Sequence, residues 1–294
     1  MIDRALQQKV LRENSQDRFF CAHVALSGLP GAGAFLTAPP VDDGREIDAS
    51  LFKISLKRRL RAPVFDAEHH CPLCGEVVDR FGDHALVCGC GGDRTVRHNA
   101  IRNICYQAGV EAGLRPEREK ANLLPGPRPN ADGLPSNAAG SGSRGGRRPA
   151  DVWFPRGEGG KGVALDFAIS SGLQSELFHP VADTPSLVFQ RYEDMKRSYK
   201  DTARECETQG FVFTPAVVEA HGGGWSSLLR ASVDWVAKQQ SVCLSEDSSA
   251  VSLRIAQRIS CTLHRENARA VLRRAAAVPE VSFLPSGWDD VGDT

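Results

Sequence analysis

The stretch Gly162-Val-Ala-Leu-Asp-Phe-Ala-Ile-Ser170 decides how this chain folds. Side chains along a strand alternate between two faces. Val163, Leu165, Phe167 and Ile169 therefore share an apolar face, while Ala164, Asp166, Ala168 and Ser170 take the other. Asp166 lies among small residues, where a ligand has room to approach. A second run, Ala150-Asp-Val-Trp-Phe154, sets Asp151 in a similar apolar frame. Downstream, Phe189, Tyr192, Lys196, Tyr199, Ala203 and Cys206 recur at steps of three and four. That spacing predicts the apolar stripe of one helix over residues 187–209. Lys196 falls inside the stripe, and a buried ammonium needs an anionic partner. Each residue has an ordinary structural use: an aspartate pairs with a nearby arginine such as Arg148, and a lysine reaches out to solvent. Three inward-pointing ionisable groups on consecutive elements point instead to a site.

Outward from these strands the pattern is that of an α/β chain. Residues 95–113 carry a helical stripe of Val96, Ile101, Ile104, Cys105, Ala108 and Ala112. Residues 120–124 read as a short strand. Phe211-Val-Phe-Thr-Pro-Ala-Val-Val-Glu219 reads as a longer one, which Pro215 assigns to a sheet edge or a bulge. The order helix, strand, strand, strand, helix, strand predicts one sheet covered by helices. Further helices are expected over 3–17, 51–61, 225–237 and 251–277. The second of these is basic, with Lys53, Lys57, Arg58, Arg59 and Arg61. Residues 125–147 are rich in Pro, Gly, Ser, Asn and Arg without periodicity, the composition of a flexible insertion.

Cys71-Pro-Leu-Cys74 is followed by His84 and Cys88, giving C-x2-C-x9-H-x3-C. The CxxC turn sets two thiolates on one side, and His84 and Cys88 offer a second pair from one helical turn. Four soft ligands of this kind suit structural zinc, with no open position for catalysis. His70 and Cys90 are the competing ligands.

Whole-chain properties narrow the field. With 36 Lys and Arg against 36 Asp and Glu the formal charge is zero, so contact with nucleic acid has to come from local basic patches. Nine cysteines, unevenly placed, fit metal ligation and free thiols in a reducing compartment better than a disulfide framework. No apolar run has the length of a membrane span or a secretory signal, and no small-molecule cofactor motif is present.

Two carboxylates on neighbouring strands can hold a hard divalent cation such as Mg²⁺ or Mn²⁺. A lysine from the next helix can orient water and stabilise phosphate charge, which completes the minimum equipment for phosphodiester hydrolysis. A glycosidase pair is another use of two carboxylates. It leaves Lys196 and the zinc motif unexplained. No G-x-S-x-G elbow is present, and Gly222-Gly-Gly224 lacks the Lys-Ser/Thr of a P-loop.

The string Cys71-Pro-Leu-Cys74, Gly82-Asp-His-Ala-Leu-Val-Cys88, Arg97-His-Asn-Ala-Ile-Arg102, Arg148-Pro-Ala-Asp151, Leu165-Asp166 and Tyr192…Lys196…Tyr199-Lys200 resembles one known region. It is the C-terminal part of non-LTR retrotransposon polyproteins of the restriction-like-endonuclease type. The resemblance covers roughly residues 20–240, and Gly31-Ala-Gly-Ala-Phe-Leu36 is similar to the segment after the polymerase. It implies a zinc knuckle followed by a PD-(D/E)xK nuclease with an αβββαβ core. Asp151 and Asp166 would be the metal ligands, Lys196 the catalytic lysine and Lys200 its rival. It also implies DNA, and element RNA, as partners and a nuclear location. Arg58, Arg97, His98 and Arg102 are the candidates for phosphate contact. The expected division is a post-polymerase-like helical segment (1–65), a zinc module (66–94), the nuclease core (95–240) and a helical tail (241–294). No Tyr-x-Asp-Asp polymerase core is present, so a fragment, a decayed copy or a stand-alone derivative is expected. The alternative is a catalytically inactive zinc-containing nucleic-acid-binding module or a retroelement relic.

Overall fold

The computed structural model describes residues 4–125 and 147–275. The expected insertion at 125–147 falls outside them except at its two ends, as do the last two residues of the helix expected at 251–277. Two helices, α1 (Arg4–Glu13) and α2 (Arg18–Ser27), lead to α3 (Ala49–Arg59). The small hairpin β1 (His69–His70) and β2 (Val77–Val78) and the single turn α4 (His84–Val87) follow. Next come α5 (Asp93–Glu111), β3 (Glu117–Arg118), β4 (Val152–Phe154) and β5 (Gly162–Ser170). After α6 (Phe178–Val181), α7 (Leu187–Ser198) and α8 (Thr202–Thr208) comes β6 (Phe211–Glu219). The helices α9 (Ser227–Leu244) and α10 (Ser248–Ala275) complete the described chain.

The sheet runs β3-β4-β5-β6, antiparallel between β4 and β5 and parallel between β5 and β6. Leu165 and Phe167 of β5 face a core built with α5, α9 and α10. Ala164 and Ala168 face the opposite side, toward α2, α7 and α8. Pro215 pairs with Asp166 on β6, an edge strand, where a missing N–H leaves no ladder bond unmade. Gly162 is required by packing: a Cβ there would lie 2.1 Å from the Trp153 ring.

Four expectations need correction. The helix expected over 187–209 is broken: Lys200 and Asp201 adopt φ of 50° and 54°, and Tyr199 is exposed. The break redirects α8 so that Cys206 and Ala203 pack under β6. The strand expected at 120–124 lies instead at Glu117–Arg118, because Glu119 and Asn122 take positive φ and end the extension. The boundary at 240 cuts through α9, and α10 is no tail. It packs on α3, α5 and α9, burying Ile255, Ile259 and Leu263. The boundary at 94 cuts the first turn of α5.

Two buried histidines make this packing acid-sensitive. Burial lowers His23 to about 4 and His264 to about 3, from an ordinary value of 6.5. His23 Nε2 donates to the Arg59 carbonyl at 3.0 Å, and His264 lies against Phe35 with centroids 3.9 Å apart. Below about pH 6.5 the unfolded chain binds protons that the folded chain refuses, so stability falls as pH falls. Thermal unfolding is expected to be flat above about pH 7 and to lose on the order of 1 kcal/mol per pH unit per histidine down to about pH 4.5. A midpoint independent of pH in that window would contradict the burial of these rings.

Candidate metal centre and acidic cleft

The first centre is built from a hairpin and one helical turn. The Cys71 amide bonds the Glu76 carbonyl (2.8 Å), and the Gly75 amide bonds the Cys71 carbonyl (2.9 Å), closing the CxxC turn. Gly75 holds φ at 79°, which favours glycine. Asp79 accepts the amides of Phe81, Asp83 and His84 at 2.9–3.1 Å and so fixes the start of α4. These turns bring the ligand atoms of Cys71, Cys74, His84 and Cys88 within 4.8 Å of one another. Cys74 Sγ stands 3.3 Å from His84 Nε2 and 3.6 Å from Cys88 Sγ. A tetrahedron with bonds of about 2.3 Å to sulfur and about 2.0 Å to nitrogen has edges of roughly 3.5–3.8 Å. The three cysteines and one histidine therefore form a cluster able to coordinate a metal ion. Of the rivals, His70 Nδ1 is engaged with the Gly75 carbonyl (2.9 Å) and Cys90 is exposed outside the cluster.

Charged neighbours bind this module to the body. Burial alone would raise the Cys88 thiol, but the Arg274 guanidinium, the Cys90 backbone and Cys74 outweigh it and lower it. The Glu76 amide favours the Cys74 thiolate, yet burial and the neighbouring sulfurs push that thiol up. Asp83 meets Arg58 at 3.2 Å and also pairs with Arg61. Its burial would raise it, but the Arg58 and Arg61 guanidiniums hold it well below the carboxylate range.

The second centre lies on the sheet. Val152 pairs with Leu165, so the antiparallel register carried one step further sets Asp151 opposite Asp166. Asp166 faces α7, where Lys196 Nζ stands 2.9 Å from Oδ2 and 3.2 Å from Oδ1. The bond is directed at Oδ1. Oδ2 is buried and in ionic contact but has no aligned donor. Burial raises Asp166, the Asp151 charge adds to this, and Lys196 opposes it. Asp151 Oδ2 accepts the Phe167 amide at 2.6 Å and lies 3.3 Å from His98 Nε2. The same His98 nitrogen is 3.0 Å from the Phe167 carbonyl, and Asp151 raises the imidazole above its ordinary value. Beside this pair opens a cleft of about 140 Å³ whose walls include Arg147, Arg148, Asp166, Lys196 and the exposed Tyr199.

The phosphate-contact candidates separate here. Arg58 is buried against the Phe81 carbonyl (2.6 Å) and Asp83, and Arg97 is buried against Asn267 (2.6 Å) and the Leu86 carbonyl (3.1 Å). Arg102 is buried with Glu119. All three are internal ties, because their helix faces turn inward. His98 joins the acidic centre. Lys200 stays out of it: its ammonium lies over the Tyr199 ring at 5.3 Å, and its carbonyl accepts from Arg147. Arg148 approaches Glu119 at 4.0 Å rather than pairing with Asp151. Sequence reasoning placed Tyr192 in the helix stripe without giving it a role, and its ring lies 5.6 Å from the Lys196 ammonium; Arg274, which stands in no motif, was missed.

No protein-family model, curated protein or solved structure matches the chain. Among the described residues, Cys71, Cys74, His84 and Cys88 are the one group of three or more Cys, His, Asp or Glu whose ligand atoms converge, and no helix is long and apolar enough to cross a membrane.

Metal analysis of the purified protein is expected to give about one ion per chain, as a single four-ligand centre requires. The double substitution Cys74→Ser and His84→Ala should abolish that content and lower the unfolding midpoint. Full retention of the ion would show that it is held elsewhere.

Proposed function

We propose that this protein is a zinc-containing nucleic-acid-binding module. The convergence of three thiolates and an imidazole within 4.8 Å carries the reading. Sulfur-rich tetrahedral ligation suits Zn²⁺, and three thiolates on a dication leave one negative charge for the adjacent Arg274 to compensate. The zinc is structural and contributes to folding. Binding of DNA, or of RNA, is assigned to the cleft where Arg148, Lys196 and Tyr199 gather, since a neutral chain needs a local patch.

A second reading, metal-dependent DNA endonuclease, is favoured by one specific observation: Asp151 and Asp166 share a register and Lys196 reaches Asp166. The buried Asp166 Oδ2 without an aligned donor fits a ligand for Mg²⁺ or Mn²⁺. Such an ion supplies a polarised water and charge neutralisation at phosphate. Here Asp151 and Asp166 would hold it, His98 would fix the Asp151 carboxylate, and Lys196 would face the phosphate. The order α5, β3, β4, β5, then α6 to α8, then β6 is compatible with the αβββαβ core that this reading requires.

One experiment separates the readings: DNA affinity by fluorescence anisotropy, beside nicking of supercoiled DNA in Mg²⁺ or Mn²⁺. Under the binding reading, Arg148→Glu weakens affinity roughly five- to tenfold, affinity falls steeply with salt, and no nicking appears with either metal. Under the nuclease reading, nicking occurs and Asp166→Ala reduces it on the order of a hundredfold or more while DNA binding persists. Lys196→Ala then impairs cleavage more than Lys200→Ala. Absence of any DNA or RNA binding overturns both.

A further inference from the structure

A break in the chain sets the mouth of the Asp166 cleft. α7 ends at Ser198, and Lys200 and Asp201 then take φ of 50° and 54°, the left-handed region that side chains seldom adopt. Two bonds hold the turn. The Thr202 hydroxyl donates to the Tyr199 carbonyl at 2.6 Å, and Arg147 donates to the Lys200 carbonyl at 3.2 Å. Tyr199 thereby leaves the apolar stripe of α7 and lines the cleft while 60% exposed, with the Lys200 ammonium 5.3 Å from its ring centroid. Strained backbone held in place by its surroundings clusters at functional sites. An aromatic ring displayed among cations is a recurring platform for unpaired bases.

The cleft itself suits one base. At about 140 Å³ it is well below the roughly 300–1,000 Å³ of sites that enclose a whole drug-sized ligand, so it admits a single ring system. Leu124, Pro149 and Phe213 give it apolar walls. The Asp166 carboxylate and the Lys196 ammonium, with side chains 16% and 29% exposed, offer an acceptor and a donor. A nucleobase has the matching character, a flat apolar face and an edge of donors and acceptors. In a duplex the face is stacked and the Watson–Crick edge is paired, so only an unpaired base can present both. Arg148 stands at the same opening, its side chain 60% exposed and no nearer to Glu119 than 4.0 Å, in reach of a phosphate.

We propose that this cleft takes an unpaired base of single-stranded nucleic acid, stacked on Tyr199, with its edge at Asp166 and Lys196 and a neighbouring phosphate at Arg148. The inference rests on the nucleic-acid-binding reading above and adds the strandedness of the partner. The chemistry is common to DNA and RNA, since both offer the base and the phosphate.

Fluorescence anisotropy without added Mg²⁺ or Mn²⁺ tests it, with a mixed-sequence DNA strand, the RNA strand of the same sequence and the DNA duplex as probes. At least one single strand is expected to bind about tenfold or more tightly than the duplex, and the tighter strand names the source of the base. Tyr199→Ala should weaken that binding roughly tenfold, within the range that loss of one base–aromatic stack produces, and Tyr199→Phe should restore most of it. An abasic strand of the same length and charge should bind the unsubstituted protein about as weakly as the base-bearing strand binds Tyr199→Ala. Duplex binding as tight as single-strand binding, or an equal loss of both on Tyr199→Ala, overturns the proposal while nucleic-acid binding stands. Absence of binding to every probe overturns the underlying reading and this inference with it.

Discussion

A buried ion pair between Asp93 and Arg274 holds the two halves of this molecule in one arrangement. Arg274 is fully buried and donates from its two terminal nitrogens to Asp93 at 2.7 Å and to the Ala270 and Cys90 carbonyls. Breaking one partner of such a pair costs about 3–5 kcal/mol, because the other charge is left in a poor solvent. Asp93 opens α5, so its carboxylate also faces the positive end of that helix. The pair therefore ties the start of α5, the end of α10 and the Cys88–Cys90 segment to one point. Since α5 carries His98, the metal centre and the acidic centre hang from the same helix.

A second tie runs through Asp83, Arg58, His221 and Ser171. It joins α4 and α3 to the ends of β5 and β6. Ser171 Oγ is 2.9 Å from His221 Nε2, and His221 Nδ1 is 3.6 Å from Asp83, an order that invites comparison with a hydrolytic triad. The proton inventory excludes that use. Arg58 can only donate, and it lies 3.3 Å from Nδ1, so Nδ1 accepts and the proton sits on Nε2. Ser171 Oγ then receives both Nε2–H and the Leu173 amide, with no base to take its own proton. Burial lowers His221 to about 3, which keeps the ring neutral in this role.

Local periodicity carried much of this architecture. The alternation in β5 assigned Leu165 and Phe167 to one face and Asp166 to another, and the Cys71–Cys88 spacing marked the metal cluster. What was illegible is non-local. Arg58, Arg97 and Arg102 have the local look of surface cations, and only tertiary partners (Asp83, Asn267 and Glu119) turn them inward. The break at Lys200 and Asp201 has no glycine or proline to announce it; it follows from the need to bring α8 back under β6. The long helix α10 reads as amphipathic, yet it buries Gln257, His264, Asn267 and Arg274 because each meets a specific partner or ring.

The use of arginines as internal ties has an electrostatic consequence at the acidic cleft. Arg147 is already spent on Glu205, and Lys196 is compensated by Asp166, so Arg148 carries the cationic character of the opening. A phosphate reaching Lys196 competes with Asp166 for the ammonium, and any cation engaged by Asp166 releases that ammonium. The two ligands are thus linked through one ion pair, and linkage is reciprocal: whatever one adds to the affinity of the other is returned by the same factor. Under either proposed reading, phosphate recognition at this site would depend, through the Asp166–Lys196 pair, on what else the carboxylate holds.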